Sequence, residues 1–219
     1  MTNLPDATWT EVDQARRRIL VVPLGSLEQH GPHLPLDTDT RIAVAVARGA
    51  ATGREDVAVA PPLAFGSSGE HADFPGTLSI GTSALTELLV ELGRDAACDW
   101  DALLFVNGHG GNLDAVSRAL DRLHAEGRRC GVFHVSLAGD AHAGRTETSL
   151  MLHIDPGGVR MDLAAAGETR PVSELMDRLR RDGVRAVSPN GVLGDPRGAT
   201  AAEGRAMLAE LVDGCLAHV

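Results

Sequence analysis

Residues 19–39 read ILVVPLGSLEQHGPHLPLDTD, and this stretch decides the fold class. Its first part, residues 19–23, is a short apolar run that is typical of a strand buried on both faces of a parallel sheet. The glycine-, proline- and histidine-rich part that follows, residues 25–38, predicts a loop. Asp39 or Thr40 is then expected to cap a helix that runs to about Ala51. The stretch therefore predicts a strand, a polar loop and a helix in succession.

The same succession continues along the chain. Further short apolar strands are predicted at residues 57–60, 103–106 and 132–135, and helices at residues 83–97 and 112–125. Alternation of strands and helices predicts an α/β fold, layered α/β/α, with a mostly parallel central sheet. The sequence shows no repeat or linker, so its 219 residues are expected to form one domain, 1–219. Ligands of such sheets bind beyond the carboxyl ends of the strands.

Composition excludes several classes of function. The formal net charge is −10, and there is no basic stripe of the kind that a nucleic-acid-binding protein carries. The one dense basic run, at residues 16–18, is interpreted as the solvated entrance to a strand. The chain has no lysine and no tyrosine, which excludes a Schiff base, a phosphate-loop lysine and a phenolic acid. Proton transfer must therefore fall to histidine, aspartate or glutamate.

The cysteines and the lengths of the apolar runs indicate the cellular compartment. Cys98, Cys130 and Cys215 lie far apart with no CxxC pair, which favours free thiols in a reducing compartment, packed in the core. Residues 1–13 show neither the basic nor the apolar region of a signal peptide. No apolar run approaches the roughly 18 residues of a membrane span. A cytoplasmic protein without a membrane partner is predicted.

Three groups of polar residues follow predicted strands. Glu28 and His30, two residues apart in an extended segment, are expected to face one pocket with Asp39. His109 lies in the motif NGHGGN, residues 107–112, and His142 and Glu147 lie in the motif DAHAGRTETS, residues 140–149. Carboxylate oxygens and imidazole nitrogens suit Zn, Mn or Fe(II). Because all three groups follow strands of one wound sheet, they are expected to converge.

Other interpretations of these residues remain open. Asp39 and Glu147 would have structural roles if they only capped helices, and a glycine-rich loop such as residues 107–112 also cradles phosphate, although that does not call for a histidine. The loop at residues 66–77, with Glu70 and His71, is either part of a substrate pocket or a plain surface loop. His33 is a reserve ligand, and support of the other ligands from behind is its favoured role. The other histidines, at positions 124, 134, 153 and 218, are expected to be structural or solvated.

At these motifs the sequence resembles the creatininase family, and the three motifs occur in the same order and span most of the chain. The resemblance implies a layered α/β fold, two divalent metal ions and, commonly, a homohexamer. By this likeness Asp39 bridges the two ions and His142 is the catalytic histidine. The metal ligands that the resemblance implies are Glu28, His30, Asp39, His109 and Glu147.

The chain departs from creatininase itself in two places. There a tyrosine and then a glutamate follow the ligand histidine, whereas Gly110 and Gly111 stand here. A second carboxylate must therefore come from elsewhere, and Glu147 is the candidate. The only tryptophans are Trp9 and Trp100, so the aromatic walls that would enclose creatinine are expected to be absent. The absence of these walls argues against creatinine as the substrate.

Residues 25–41, 69–71, 76–81 and 187–196 are most similar to a peptidase branch of the family. This likeness implies hydrolysis of an amide bond in a small, ribosomally made and modified peptide, with release of its C-terminal dipeptide. A hydroxide shared by two metal ions would attack the carbonyl, and His142 would protonate the leaving amine. The candidate substrate-binding residues are Glu70, His71, Gly110 and Asn112. The alternatives are a family member that acts on a small cyclic amide or a formamide, and a metal-binding protein without turnover, which would not need His142.

Overall fold

The computed structural model describes residues 2–15, 18–136 and 139–218. Its sheet has five parallel strands in the order β1-β3-β2-β4-β5. The strands are β1 (Thr2–Asn3), β2 (Ile19–Leu24), β3 (Val57–Val59), β4 (Ala102–Asn107) and β5 (Cys130–His134). The helices are α1 (Trp9–Gln14), α2 (Thr38–Ala51), α3 (Gly81–Ala96), α4 (Leu113–Ala125), α5 (Arg145–Ile154), α6 (Val172–Val187) and α7 (Ala201–Leu216).

The central strands are apolar throughout because helices cover both faces of the sheet. Successive residues of β2 point to opposite sides. Val21 packs with Ile42 of α2 and with residues of α5 and α7. Leu20 and Val22 pack on the other side with residues of α3 and α4. The predicted layered α/β/α fold with a parallel sheet is confirmed.

The first turn of α2 differs from the prediction. The residue that precedes the helix is Asp37, whose side chain makes no capping hydrogen bond to the described backbone. The expectation that Asp39 or Thr40 caps the helix is wrong, because both lie inside the first turn. The carboxylate of Asp39 is turned towards two histidines instead of the helix backbone. Strand β1 was not predicted, since two residues carry no periodic pattern.

The C-terminal part of the chain closes the fold around the loops of the sheet's carboxyl edge. Helix α7 packs on α5 and α2. Helix α6 is interrupted at Gly183, which has a φ of +76°, and it packs against the 3-10 turn at Gly69–His71. A Cβ atom at position 183 would lie 3.2 Å from the backbone oxygen of Glu70. The tail therefore supports a loop that carries two of the candidate site residues.

The remaining expectations about composition have mixed outcomes. All three cysteines are free, and Cys215 is buried, but the core position expected for Cys98 is wrong because that residue is exposed. In the basic run at residues 16–18, the first two arginines lie outside the described residues, and Arg18 is an exposed partner of Asp101 at 3.5 Å. Within the described part of the chain, every helix is too short or too polar to cross a bilayer.

Candidate metal centre

The three polar motifs converge at the carboxyl edge of the sheet, as the sequence predicted. The loop after β2 carries Glu28 and His30, and the loop after β4 carries His109. Helix α2 supplies Asp39 from its first turn, and α5 supplies Glu147 from its first turn. The four residues other than Glu147 are at most 6% exposed. The parallel sheet therefore brings five side chains from distant parts of the chain into one buried cluster.

Asp39 lies at the middle of this cluster. Its Oδ1 atom is 3.0 Å from Nε2 of His30, and its Oδ2 atom is 3.2 Å from Nδ1 of His109. The hydroxyl of Ser26 donates a hydrogen bond of 2.6 Å to Oδ2. Each carboxylate oxygen thus faces a different imidazole, which is the arrangement that a carboxylate bridging two ions requires.

Two groups of potential ligands share Asp39. One contains Glu28, Asp39 and His109, and the other contains His30, Asp39 and Glu147; within each group the ligand atoms lie within 4.8 Å of one another. Both oxygens of the Glu28 carboxylate are buried, and Nε2 of His109 at 3.1 Å and Nε2 of His71 at 3.3 Å approach them without the geometry of a normal hydrogen bond. Burying a carboxylate costs on the order of several kcal/mol, and a bound cation would offset that cost. The nitrogen and oxygen donors fit Zn, Mn or Fe(II).

The electrostatics of the cluster agree with cation binding. Burial alone would lower the pKa of His30, but the adjacent Asp39 carboxylate overrides it and raises that pKa to about 10. Burial also opposes protonation of His109, and Glu28 and Asp39 raise its pKa to about 10. Burial raises the pKa values of Glu28 and Glu147 to about 7. Without metal, protons on the two imidazoles balance the carboxylates, and metal ions would displace those protons.

His142 reaches the same cluster from the loop after β5. Its Nε2 atom is 2.9 Å from the backbone oxygen of Gln29 and 3.0 Å from the side-chain nitrogen of the same residue. Its other nitrogen, Nδ1, is 3.7 Å from Oε1 of Glu28. Burial holds the pKa of His142 well below its usual range. His142 is therefore a neutral imidazole beside the cluster, and Glu28, His30 and His142 form a third group with ligand geometry.

Gln29 organises this side of the site, and the sequence analysis did not identify it. Its side-chain oxygen accepts a hydrogen bond of 2.8 Å from the backbone of Gly31, which fixes the orientation of the amide. Its Nε2 atom then donates to Nδ1 of His71 at 2.9 Å and to the backbone oxygen of Gly191 at 3.0 Å. The sequence feature that could have identified Gln29 is its position between Glu28 and His30.

The four candidate substrate-binding residues lie in different environments. His71 is buried, and its Nε2 atom is 3.3 Å from Oε1 of Glu28. Burial lowers the pKa of His71 to about 3, so a neutral imidazole lies beside that carboxylate. Asn112 is buried and bonded to Gly25, Ser67 and Asn107, which assigns it to holding loops together. Gly110 is exposed beside open space, and Glu70 lies at the rim, with its side chain 32% exposed.

His33 lies behind the cluster. Its Nε2 atom is 2.9 Å from the hydroxyl of Thr148, the residue after Glu147, and burial lowers its pKa to about 4. This placement agrees with the expected supporting role. Among the described residues, none of the four histidines at positions 124, 134, 153 and 218 belongs to a group with ligand geometry.

The two tryptophans lie far from the cluster. Trp100 precedes β4, at the amino edge of the sheet, and lines a cavity of about 300 Å³ there with Gly127 and Cys130. Trp9 is 79% exposed and lies on the same side of the molecule as Trp100. The amino edge of the sheet has this cavity, but none of the described groups of potential metal ligands lies there. Both tryptophans therefore lie at the edge of the sheet opposite the candidate metal centre.

Comparison with known proteins agrees with this geometry. The family model Creatininase, described as creatinine amidohydrolase, matches residues 5–219. The chain is 56% identical to the mycofactocin precursor peptide peptidase of Mycobacterium ulcerans (strain Agy99) over 91% of this chain and 84% of that protein. It is 54% identical to the protein of the same name from Mycobacterium tuberculosis (strain H37Rv), over 91% and 84%.

Solved structures give the same result for the fold. The structure "Crystal structure of creatinine amidohydrolase (creatininase)" aligns with a TM-score of 0.81 at 25% identity and covers 99% of this chain and 96% of that chain. The resemblance to creatininase that the three motifs indicated is therefore confirmed by both sequence and fold. On the match across residues 5–219, the chain belongs to the creatininase family.

Proposed function

We propose that this protein is a metal-dependent peptidase that releases the modified C-terminal dipeptide from a mycofactocin-type precursor peptide. The observation that carries the proposal is the pair of buried ligand groups that share Asp39, in a chain more than half identical to peptidases named for that substrate. The identity to the creatininase structure is much lower, at 25%. The reaction class rests on the site, and the substrate rests on the relatives.

The residues would hold two divalent ions. Glu28, Asp39 and His109 would bind one ion, and His30, Asp39 and Glu147 the other. When bound, such ions lower the pKa of a water from about 15.7 towards about 7 and polarise the carbonyl under attack. The buried surroundings strengthen these electrostatic interactions, because the local dielectric is lower than that of water.

His142 would move the proton that amide hydrolysis requires. The attacking water must lose a proton, and the departing amine nitrogen must gain one, because an amide anion is a poor leaving group. The Nδ1 atom of His142 faces the cluster, and the ring is neutral because burial holds its pKa well below its usual range. It would accept the proton of the water and return it to the amine nitrogen as the C–N bond breaks, which leaves a carboxylate on the shortened peptide.

The rim of the site leaves space for a peptide. Gly110 borders open space directly after His109. The tryptophans, the large aromatic residues that would enclose a small ring, lie at the opposite edge of the sheet. These features support a peptide over a small cyclic amide.

A cleavage assay read by mass spectrometry tests the proposal. Metal-loaded protein would be offered a C-terminally modified precursor peptide, with creatinine and a formamide as comparison substrates. We expect the peptide to lose its terminal pair of residues and the two small amides to remain intact. An intact peptide with turnover of either small amide would contradict the proposal and indicate the small-amide alternative.

We further propose a cytoplasmic homo-oligomer, as the sequence suggested. The three cysteines are unpaired, a state that a reducing compartment maintains. Large apolar side chains in the loops beside the site, including Phe65 and Leu78, are about half exposed, and a second copy would cover them.

A further inference from the structure

Helix α5 begins without a capping side chain at the usual position. Gly144 precedes its first residue and has no side chain that could accept a hydrogen bond. The first backbone N–H groups of a helix have no partner within the helix, so they need an acceptor from elsewhere. Because α5 carries Glu147 in its first turn, the group that supplies this acceptor also affects the placement of a candidate metal ligand.

Asp140 supplies the acceptor from outside the helix. Its Oδ2 atom accepts a hydrogen bond from the backbone N–H of Arg145, and its Oδ1 atom accepts one of 3.1 Å from the backbone N–H of Thr146. A carboxylate at this end of a helix also interacts favourably with the helix dipole. One side chain therefore satisfies two of the four N–H groups that lack a partner at the start of α5.

Two glycines leave room for the Asp140 carboxyl group. A Cβ atom built on Gly144 would lie closer than 3.0 Å to this side chain, and so would a Cβ atom built on Gly194. The carboxyl group can approach the backbone on both sides only because neither position carries a side chain. This close packing holds Asp140 in the orientation in which it caps α5.

The turn between Asp140 and α5 has a strained backbone. Ala143 has a φ of +52°, which is uncommon for a residue with a side chain. Such conformations persist where the surrounding contacts determine them. Ala143 is fully buried, and its backbone N–H donates a hydrogen bond of 2.6 Å to Oε2 of Glu147. The strained turn therefore directs an N–H group at a candidate metal ligand.

His142 lies in the same turn and is held from the opposite side. The backbone N–H of Leu193 donates to the oxygen of His142 at 2.8 Å, and the N–H of His142 donates to the oxygen of Leu193 at 3.3 Å. The ring of His142 lies against that of His30, with 4.4 Å between the centroids. Residues 140–147 thus carry both the proposed proton-transferring residue and a candidate ligand, between the contacts of Leu193 and those of Asp140.

We propose, on the basis of the proposed metal-dependent function, that Asp140 is a positioning residue that fixes His142 relative to the ion beside Glu147. Asp140 belongs to none of the described groups of potential ligands, so it acts through the start of α5 and the strained turn. Without this cap the first turn of α5 shifts, and Ala143 relaxes from its left-handed conformation. Glu147 then loses its backbone hydrogen bond, so metal binding and proton transfer are impaired together.

The experiment combines a spectrum, a metal affinity and steady-state kinetics. Wild-type protein and the Asp140→Ala variant would be loaded with Co(II) and compared by visible absorption, and the metal-free forms titrated with Zn(II) against a chromophoric chelator. We expect Asp140→Ala to alter the Co(II) spectrum and to weaken one ion by about 10- to 100-fold. For the precursor peptide, kcat should fall by about 10- to 100-fold with little change in KM. Asp140→Asn keeps one acceptor oxygen and should show smaller losses.

The matched control removes a helix cap away from the site. The hydroxyl of Thr8 caps α1 by accepting a hydrogen bond of 3.4 Å from the backbone N–H of Glu11, and α1 carries none of the candidate site residues. We expect Thr8→Ala to lower the midpoint of thermal unfolding, as loss of a cap does, and to keep the wild-type Co(II) spectrum and kcat.

The outcomes separate the role of Asp140 from the proposed function. A wild-type spectrum, affinity and kcat in Asp140→Ala would overturn the positioning role, and so would equal changes in Thr8→Ala, because these would follow from lost stability alone. If Asp140→Ala does not fold, Asp140→Asn is judged by the same comparison. A wild-type protein that binds two ions but leaves the peptide intact would contradict the proposed substrate, and the Co(II) spectra would still test Asp140.

Discussion

Single side chains carry the chemistry of this site, and Asp39 carries the most. It is 2% exposed, and each of its oxygens faces a different histidine. Burial would raise its pKa, but the adjacent His30 overrides burial and holds that pKa well below its usual range. This low pKa favours the ionised carboxylate, which suits a bridge between two cations.

Replacing Asp39 tests the bridge. We expect Asp39→Ala to lose both ions, because each of the two groups that share Asp39 would keep only two of its three members. Metal content measured by elemental mass spectrometry after gel filtration would fall from two per chain towards zero. A variant that keeps full occupancy would show that Asp39 does not join the two groups.

Replacing His142 shows whether this residue transfers protons or binds a metal ion. We expect His142→Ala to keep both ions and to lose turnover by about 10²- to 10⁴-fold, the usual contribution of a positioned acid or base. Metal content and kcat are measured on the same sample. Loss of an ion together with activity would instead make His142 a ligand beside Glu28 and His30.

Proton release on metal binding follows from the pKa values of the two ligand histidines. In the metal-free protein the pKa values of His30 and His109 are both about 10, so both rings are protonated at about pH 8. Metal ions bind only neutral imidazole, so binding must release those protons, and affinity must fall as the pH falls below about 10. Calorimetric titration in two buffers of different ionisation enthalpy counts the protons. Equal heats in both buffers would contradict this account.

At the scale of elements, the sequence predicted the strands and helices that place the site because their apolar runs are long and regular. Strands β2 and β4 and helices α2 to α4 begin and end within three residues of the predictions. The convergence of Glu28, His109 and Glu147 followed from the rule that loops after parallel strands meet at one edge.

Other features of the site depend on tertiary packing and could not be predicted. The amide of Gln29 bonds to Gly191, which is 162 residues away in the sequence. The approach of Glu70 to Gly111 depends on where a long loop folds back, which no local pattern records. Asp39 has the residue type of a helix cap, and the family resemblance, not its local pattern, indicated its role among the histidines.

The contact between α5 and α7 supports the helix that carries Glu147. A Cβ atom at Gly204 would lie closer than 3.0 Å to the backbone oxygen of Ser149, so the two helices touch at this glycine. We expect Gly204→Ala to lower the free energy of unfolding by about 1–3 kcal/mol, the usual cost of overpacking. Chemical denaturation measures this. The control is Gly157→Ala, because its added Cβ atom would meet no described atom closer than 3.7 Å. Equal losses of unfolding free energy in both variants would contradict the packing argument.

At the scale of the whole molecule, apolar residues near the site suggest assembly. Leu36, Phe65, Leu78 and Ile80 are between 37% and 57% exposed, and all lie in loops at the carboxyl edge of the sheet. We expect light scattering after gel filtration to give the mass of six chains of 22.9 kDa. Replacement of Leu78 by glutamate should shift this mass downwards. A wild-type protein that runs as a monomer at micromolar concentration would contradict the proposed assembly.

The central claim is that two ions bound around Asp39 carry out peptide hydrolysis. Its most direct test is to titrate metal-free protein with a divalent ion while mass spectrometry follows loss of the terminal dipeptide from the precursor peptide. We predict that the rate rises until two equivalents per chain are bound and that a chelator abolishes it. Full activity with one equivalent, or in the presence of the chelator, would contradict the account.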